Sequence, residues 1–135
     1  MTLRVVRKDK GPEEWLRHAS SNLDRAKFGK VTDRVIYEDL CFDAQQAAEK
    51  SLKAILAHLK AEVPMTHSIG YLLRLIEEKK VDVPKEIKKS KGLTQYAVDT
   101  RYPGPYDDVD KDEYEEALDL AIRVYDWAQK MIEKQ

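Results

Sequence analysis

One apolar stripe constrains this chain more than any other feature. Between Thr32-Asp33 and about Lys60, the residues Tyr37, Leu40, Cys41, Ala44, Ala48, Leu52, Ile55 and Leu59 recur at helical spacing. A stripe of that period held for about seven turns describes one long amphipathic helix. Such a helix cannot bury its face alone, so the rest of the chain must supply the elements that cover it. On its opposite side lie Gln46, Lys50, Lys53 and Lys60, which read as a solvated face with Glu49 and Lys53 as an i,i+4 pair.

The flanking sequence reads as further helices. Gly11-Pro12-Glu13-Glu14 is a helix start, with Pro pre-set for the first turn and two carboxylates at the positive end of the macrodipole. Trp15, Leu16, Ala19, Leu23 and Ala26 form its inner face, and Gly29 is its stop. Pro64 ends the long helix, and Thr66 reads as the N-cap of a third helix with Ile69, Leu72, Leu73 and Ile76 inside. Val83-Pro84 opens a fourth segment in which Ile87, Leu93 and Val98 are sparse among lysines and Gly92 interrupts. Asp110, with Glu113 three residues on, suggests a capping box for a last helix carrying Tyr114, Ala117, Leu118, Ala121, Tyr125, Ala128 and Ile132. No internal repeat or strand-like alternation is present. Short connections between long helices predict an all-α, up-and-down antiparallel bundle of about five helices. We expect one domain over residues 1–135, with a bundle over about 12–133 behind a short N-terminal arm, 1–11.

Beside the main face of the last helix, Leu120, Val124, Trp127 and Met131 form a second stripe. It reads either as a broad core face, or cover for the N-terminal arm, or as a subunit interface.

Composition narrows the chemistry. The 135 residues carry 24 basic and 25 acidic side chains, a net charge of −1 that gives no global pull toward nucleic acid or membrane. A lone cysteine, Cys41, on an apolar stripe reads as a small hydrophobe, and the N-terminus has no apolar signal core, so a cytoplasmic protein is expected. The most apolar window, "SIGYLLRLIEEKK", is interrupted by Arg74, so no membrane contact is expected. Abundant Lys and Glu with a single Asn and a single Cys is a bias shown by hyperthermophile proteins.

No metal or cofactor is expected. None of His18, His58 and His67 has a Glu three residues before it, and His-Glu-x-x-His is absent. Asp108, Asp110 and Asp112 mimic the start of a calcium loop, but Glu113 stands where the turn needs Gly, and Asp119 where a bidentate Glu belongs. Acidic residues at a helix N-terminus explain them better. Residues 79–91 hold six lysines against two acids, and 107–119 hold eight acids against one lysine, which reads as two solvated helix faces. The stretch "TRYPGPYDD", 100–108, sets one arginine and two tyrosines on a backbone restricted by two prolines and turned at Gly104.

The run "DAQQAAEKSLKAILAHLKAEVPMTHSIGYLLRLI", Asp43 to Ile76, followed by Arg101-Tyr102-Pro103 ahead of a last amphipathic helix, resembles the HEPN domain family. The resemblance implies a bundle of about five helices that usually dimerises. Small stand-alone members of that family are often paired with a minimal nucleotidyltransferase in a toxin–antitoxin-like system. Some bind nucleotides. Others are metal-independent ribonucleases that carry Arg, four to six residues, then His. This chain departs from that motif, because no arginine precedes a histidine at that spacing and Tyr106, Asp107 and Asp108 stand where the histidine after Arg101 belongs. A tyrosine, with a reference pKa of about 10, is a poor base near neutral pH. The expectation is therefore a nucleotide- or phosphate-binding homodimer with a nucleotidyltransferase partner. Arg101 would clamp phosphate, Tyr102 or Tyr106 would stack on a base, and Lys50, Lys53 and His67 would line the same cleft. The alternatives are an RNA-cleaving enzyme using Arg101 with Tyr106 or His67, and a purely structural interaction module.

Overall fold

A computed structural model describes residues 11–98, 103–104 and 107–134. All regular structure among them is helical: α1 (Pro12–Phe28), α2 (Tyr37–His58), α3 (Ile69–Glu78), α4 (Lys85–Lys88), a 3-10 turn pair (Lys89–Thr94), α5 (Gln95–Val98) and α6 (Lys111–Lys134). With α4, the 3-10 stretch and α5 counted as one broken segment, the bundle has five helical parts.

The long helix is the centre, as the stripe predicts, but more of it is covered than the stripe. Fourteen of its 22 residues are buried, including Asp43, Gln45, Glu49, Ser51 and Lys53 from the polar side. That side is therefore not the solvated face the sequence suggests, because α1 and the connection after α2 lie against it. Contacts fix the directions of the helices. Trp15, near the start of α1, faces Lys53 late in α2, whereas Asn22 faces Asp43 and Lys50 earlier in it, so α1 and α2 run antiparallel. Tyr114, at the start of α6, donates its hydroxyl to the Ala26 carbonyl at 2.5 Å and stacks on Tyr37, with ring centroids 5.2 Å apart. α6 thus begins where α1 ends, and runs antiparallel to it.

Local chemistry sets the boundaries. Pro12 opens α1, and Gly29 closes it at φ +69°, a left-handed conformation that favours glycine. The start of α2 falls at Tyr37 rather than at Thr32-Asp33, because the Thr32 hydroxyl accepts from the Arg34 amide in a local turn and Ile36 is extended. α2 ends in a Schellman motif: Lys60 takes φ +59°, its amide donates to Ala57, and the Ala61 amide donates back to Leu56. Ser68, and not Thr66, caps α3, accepting from the Tyr71 amide at 3.2 Å, while Thr66 holds the Ser68 amide just before it. Asp110 caps α6 through the Glu113 amide at 2.8 Å, but the Glu113 carboxylate turns away to accept from the Tyr96 hydroxyl.

Candidate functional site

The connection after α2 determines the site. Residues 59–68 carry the chain back along α2, so that His67 lies beside Glu49, in the middle of that helix. The alanines around Glu49, at 44, 47 and 48, are wholly buried and leave room for that close approach. Glu49 is only 3% exposed, and four side chains converge on its carboxylate. Lys53 Nζ donates to Oε2 at 2.8 Å, His67 Nδ1 lies 2.9 Å from Oε1, and the amides of Gln45 and Gln46 reach Oε1 at 3.0 and 3.4 Å. Gln45 also donates to the His67 carbonyl at 3.3 Å, holding ring and backbone of that residue together. Burial alone would raise the Glu49 carboxyl. The bonds from Lys53, His67 and Gln45 outweigh burial and hold it below the usual carboxylate range, so it is an anion at neutral pH.

Lys53 connects this cluster to a cavity of about 640 Å³, lined among others by Trp15, Ala57, Lys60, Glu62 and Met65. Its ammonium sits 5.5 Å from the Trp15 ring centroid, over the aromatic face. The cavity therefore joins an aromatic plane, two lysines and one carboxylate at the start of α1 and the end of α2.

Of the residues singled out in the sequence, Lys53 and His67 are brought together by their shared partner. Lys50 belongs to a different network: it donates to Asn22 Oδ1 at 2.7 Å, Asn22 donates to Asp43 Oδ1 at 3.0 Å, and Arg25 Nε lies 3.4 Å from Asp43 Oδ2. Burial lowers the Lys50 ammonium and raises the Asp43 carboxyl. That network joins α1 to α2, and Lys50 makes its hydrogen bond there to Asn22 rather than to the Glu49 carboxylate. Arg101, Tyr102 and Tyr106 lie outside the described residues. The flanks of their segment are held in place: Val109 donates its amide to Glu38 at 3.0 Å, and Tyr96 bonds Glu113. Gln45 is the participant the sequence does not announce, since one glutamine in "AQQAAEK" looks like another. Its burial follows only from the alanines beside it.

On α6, Val124 is wholly buried and packs in the core of this chain, which removes it from the exposed stripe. Leu120, Trp127 and Met131 are half-buried at the core's edge. Among the described residues, no group of three or more His, Cys, Asp or Glu gathers in a way that would hold a metal ion, and no helix is long and apolar enough to cross a membrane.

The model of the HEPN domain matches residues 12–132. Among solved structures, an archaeal HEPN homologue superposes with a TM-score of 0.73 at 28% identity, over 92% of this chain and 99% of its own. A HEPN domain protein from Thermotoga maritima is 22% identical over 90% of this chain and 88% of its own, with a TM-score of 0.45. No curated protein matches the chain.

Proposed function

Since the chain belongs to the HEPN domain family, we propose that it is a cytoplasmic homodimer that binds a nucleotide or another phosphate-bearing ligand, and that it acts with a minimal nucleotidyltransferase partner in a toxin–antitoxin-like pair. The observation that carries the binding reading is the convergence of Lys53 and His67 on Glu49 at the edge of a cavity walled by Trp15 and Lys60. A nucleotide needs a cation for its phosphate and a flat apolar plane for its base, and that corner supplies both. Lys53 retains donors beyond the one given to Glu49, because an ammonium has three. In this reading Arg101 adds a bidentate phosphate clamp, Tyr102 or Tyr106 a second stacking plane, and Leu120, Trp127 and Met131 the subunit contact. Lys50 contributes to the scaffold through Asn22 rather than to the ligand.

Thermal melting with a panel of nucleoside mono-, di- and triphosphates tests this, with sizing in solution on the same sample. A ligand at about 100 times its Kd adds about 2.7 kcal/mol, which for a chain of this length raises Tm by roughly 10 °C. Lys53→Met and Arg101→Ala should each remove most of that rise. A panel in which no nucleotide moves Tm refutes the binding reading.

A further inference from the structure

His67 is held in an arrangement that phosphate binding alone does not require. Its Nδ1 faces a carboxylate that is 4% exposed, while its own side chain is 64% exposed. Because Glu49 is an anion, Nδ1 carries the proton, and the lone pair is left on Nε2, at the other side of the ring. The backbone of the same residue is held by Gln45, which fixes the position from which the ring reaches Glu49. The other histidines lack this arrangement. His18 faces Glu14 at 3.3 Å through Nε2, with both side chains more than a third exposed, and His58 ends α2.

We propose that His67 is a phosphoryl-acceptor site, with Nε2 as the nucleophile and Glu49 as the residue that positions it. The proposal rests on the phosphate-binding reading for the delivery of its substrate, a phosphoanhydride such as a nucleoside triphosphate. The Nε2 lone pair forms an N–P bond to the terminal phosphorus as the bridging P–O bond breaks, and the nucleoside diphosphate leaves with that bond's electrons. No proton has to leave the ring: Nδ1–H stays on Glu49, and the positive charge that develops on the imidazole faces a buried anion. Lys53 donates to the second oxygen of the same carboxylate and so keeps that anion fixed behind the ring.

The test uses the full chain with potassium phosphoramidate as donor, whose P–N bond breaks with loss of ammonia. Modified sites are mapped by mass spectrometry under neutral conditions and quantified by phosphorus NMR. In the unaltered protein His67 should be phosphorylated at least about tenfold faster than His18, His58 or free N-acetylhistidine, the low end of what a carboxylate behind an imidazole contributes at metal sites. Glu49→Gln, which keeps the shape and exposure of the site, should bring the His67 rate down to that of N-acetylhistidine, with partial rescue in Glu49→Asp. His67→Asn should abolish the fast phase. Equal rates at the three histidines of the unaltered chain overturn the proposal without recourse to any variant, as does a His67 rate unchanged in folded Glu49→Gln. Nucleotide melting shifts on the same sample separate the two readings: a shift with no fast phosphorylation removes only the acceptor site, and fast phosphorylation with no shift removes only the nucleotide.

Discussion

Glu49 shows how much a single position can depend on its partners. Burial alone would push its carboxyl up; with Lys53, His67 and Gln45 on it, it titrates below its ordinary value near 4.5. A carboxyl whose folded pKa is depressed stabilises the fold fully above its unfolded value, and loses that contribution as pH falls through the folded value. Asp43 has the opposite sign. Burial raises it, so its ionisation costs stability at neutral pH, and that cost vanishes below the unfolded value near 3.8. Urea midpoints measured from pH 7 down to pH 3 should therefore decline less steeply in Glu49→Gln than in the unaltered chain, and more steeply in Asp43→Asn. Glu49→Ala should do more harm than either, roughly 3–5 kcal/mol at pH 7, because it strands the Lys53 ammonium in a site where only 8% of its side chain is exposed. None of this is legible from polarity along the chain. The spacing marks Glu49 and Lys53 as a surface pair, and it is the packing of α1 and the return of residues 59–68 that bury them.

At the scale of the element, helix existence was written in the sequence more plainly than helix ends. The stripe of α2, the Pro12 start and the Gly29 stop of α1, and the Asp110 cap of α6 are all where spacing and residue type put them. The start of α2 and the cap of α3 shift because Thr32, Thr66 and Ser68 are all competent caps. Which of them serves is decided by where the backbone turns, and not by the side chain alone. Ser68→Ala should thus cost about 1 kcal/mol in a denaturant titration, and Thr66→Ala should cost less. The helix C-termini carry a different signature. Lys80 sits at φ +66° after α3, where its amide donates to Glu77 at 2.9 Å. Replacing a side chain in the left-handed region relieves strain, so Lys80→Gly should stabilise the protein by about 1 kcal/mol. The broken segment from Lys85 to Val98 was the least legible. Its buried anchors Ile87, Ser90, Leu93 and Tyr96 fall on every third residue, the 3-10 rather than the α period, and one of them is a polar serine.

For the whole molecule, the core is one continuous apolar cluster that draws on every helix, with α2 in contact with most of the others. The bundle class follows from helix lengths and short connections, and the family from the ordered run Asp43 to Ile76. Assembly is harder to read, because an outward apolar residue at the core's edge looks the same in a sequence whether it meets a partner or solvent. Val124 resolves inward, while Leu120, Trp127 and Met131 stay half-buried. If that edge holds two subunits together, Leu120→Asp should shift the protein to monomer in size-exclusion chromatography with light scattering, with its far-ultraviolet helicity preserved. A dimer unchanged by the substitution would place the contact elsewhere on the bundle.

Cys41 offers a consequence of a different kind. Its thiol is wholly enclosed between helices, and burial, helped by Glu113 and Glu38, pushes its pKa up to about 12. It is the single sulfhydryl in the chain. A thiol that is both unreachable and protonated reacts with an alkylating reagent only from molecules that have opened. The rate of its labelling is thus a clock for the unfolding of this core, and it runs at the protein's own working conditions, without denaturant.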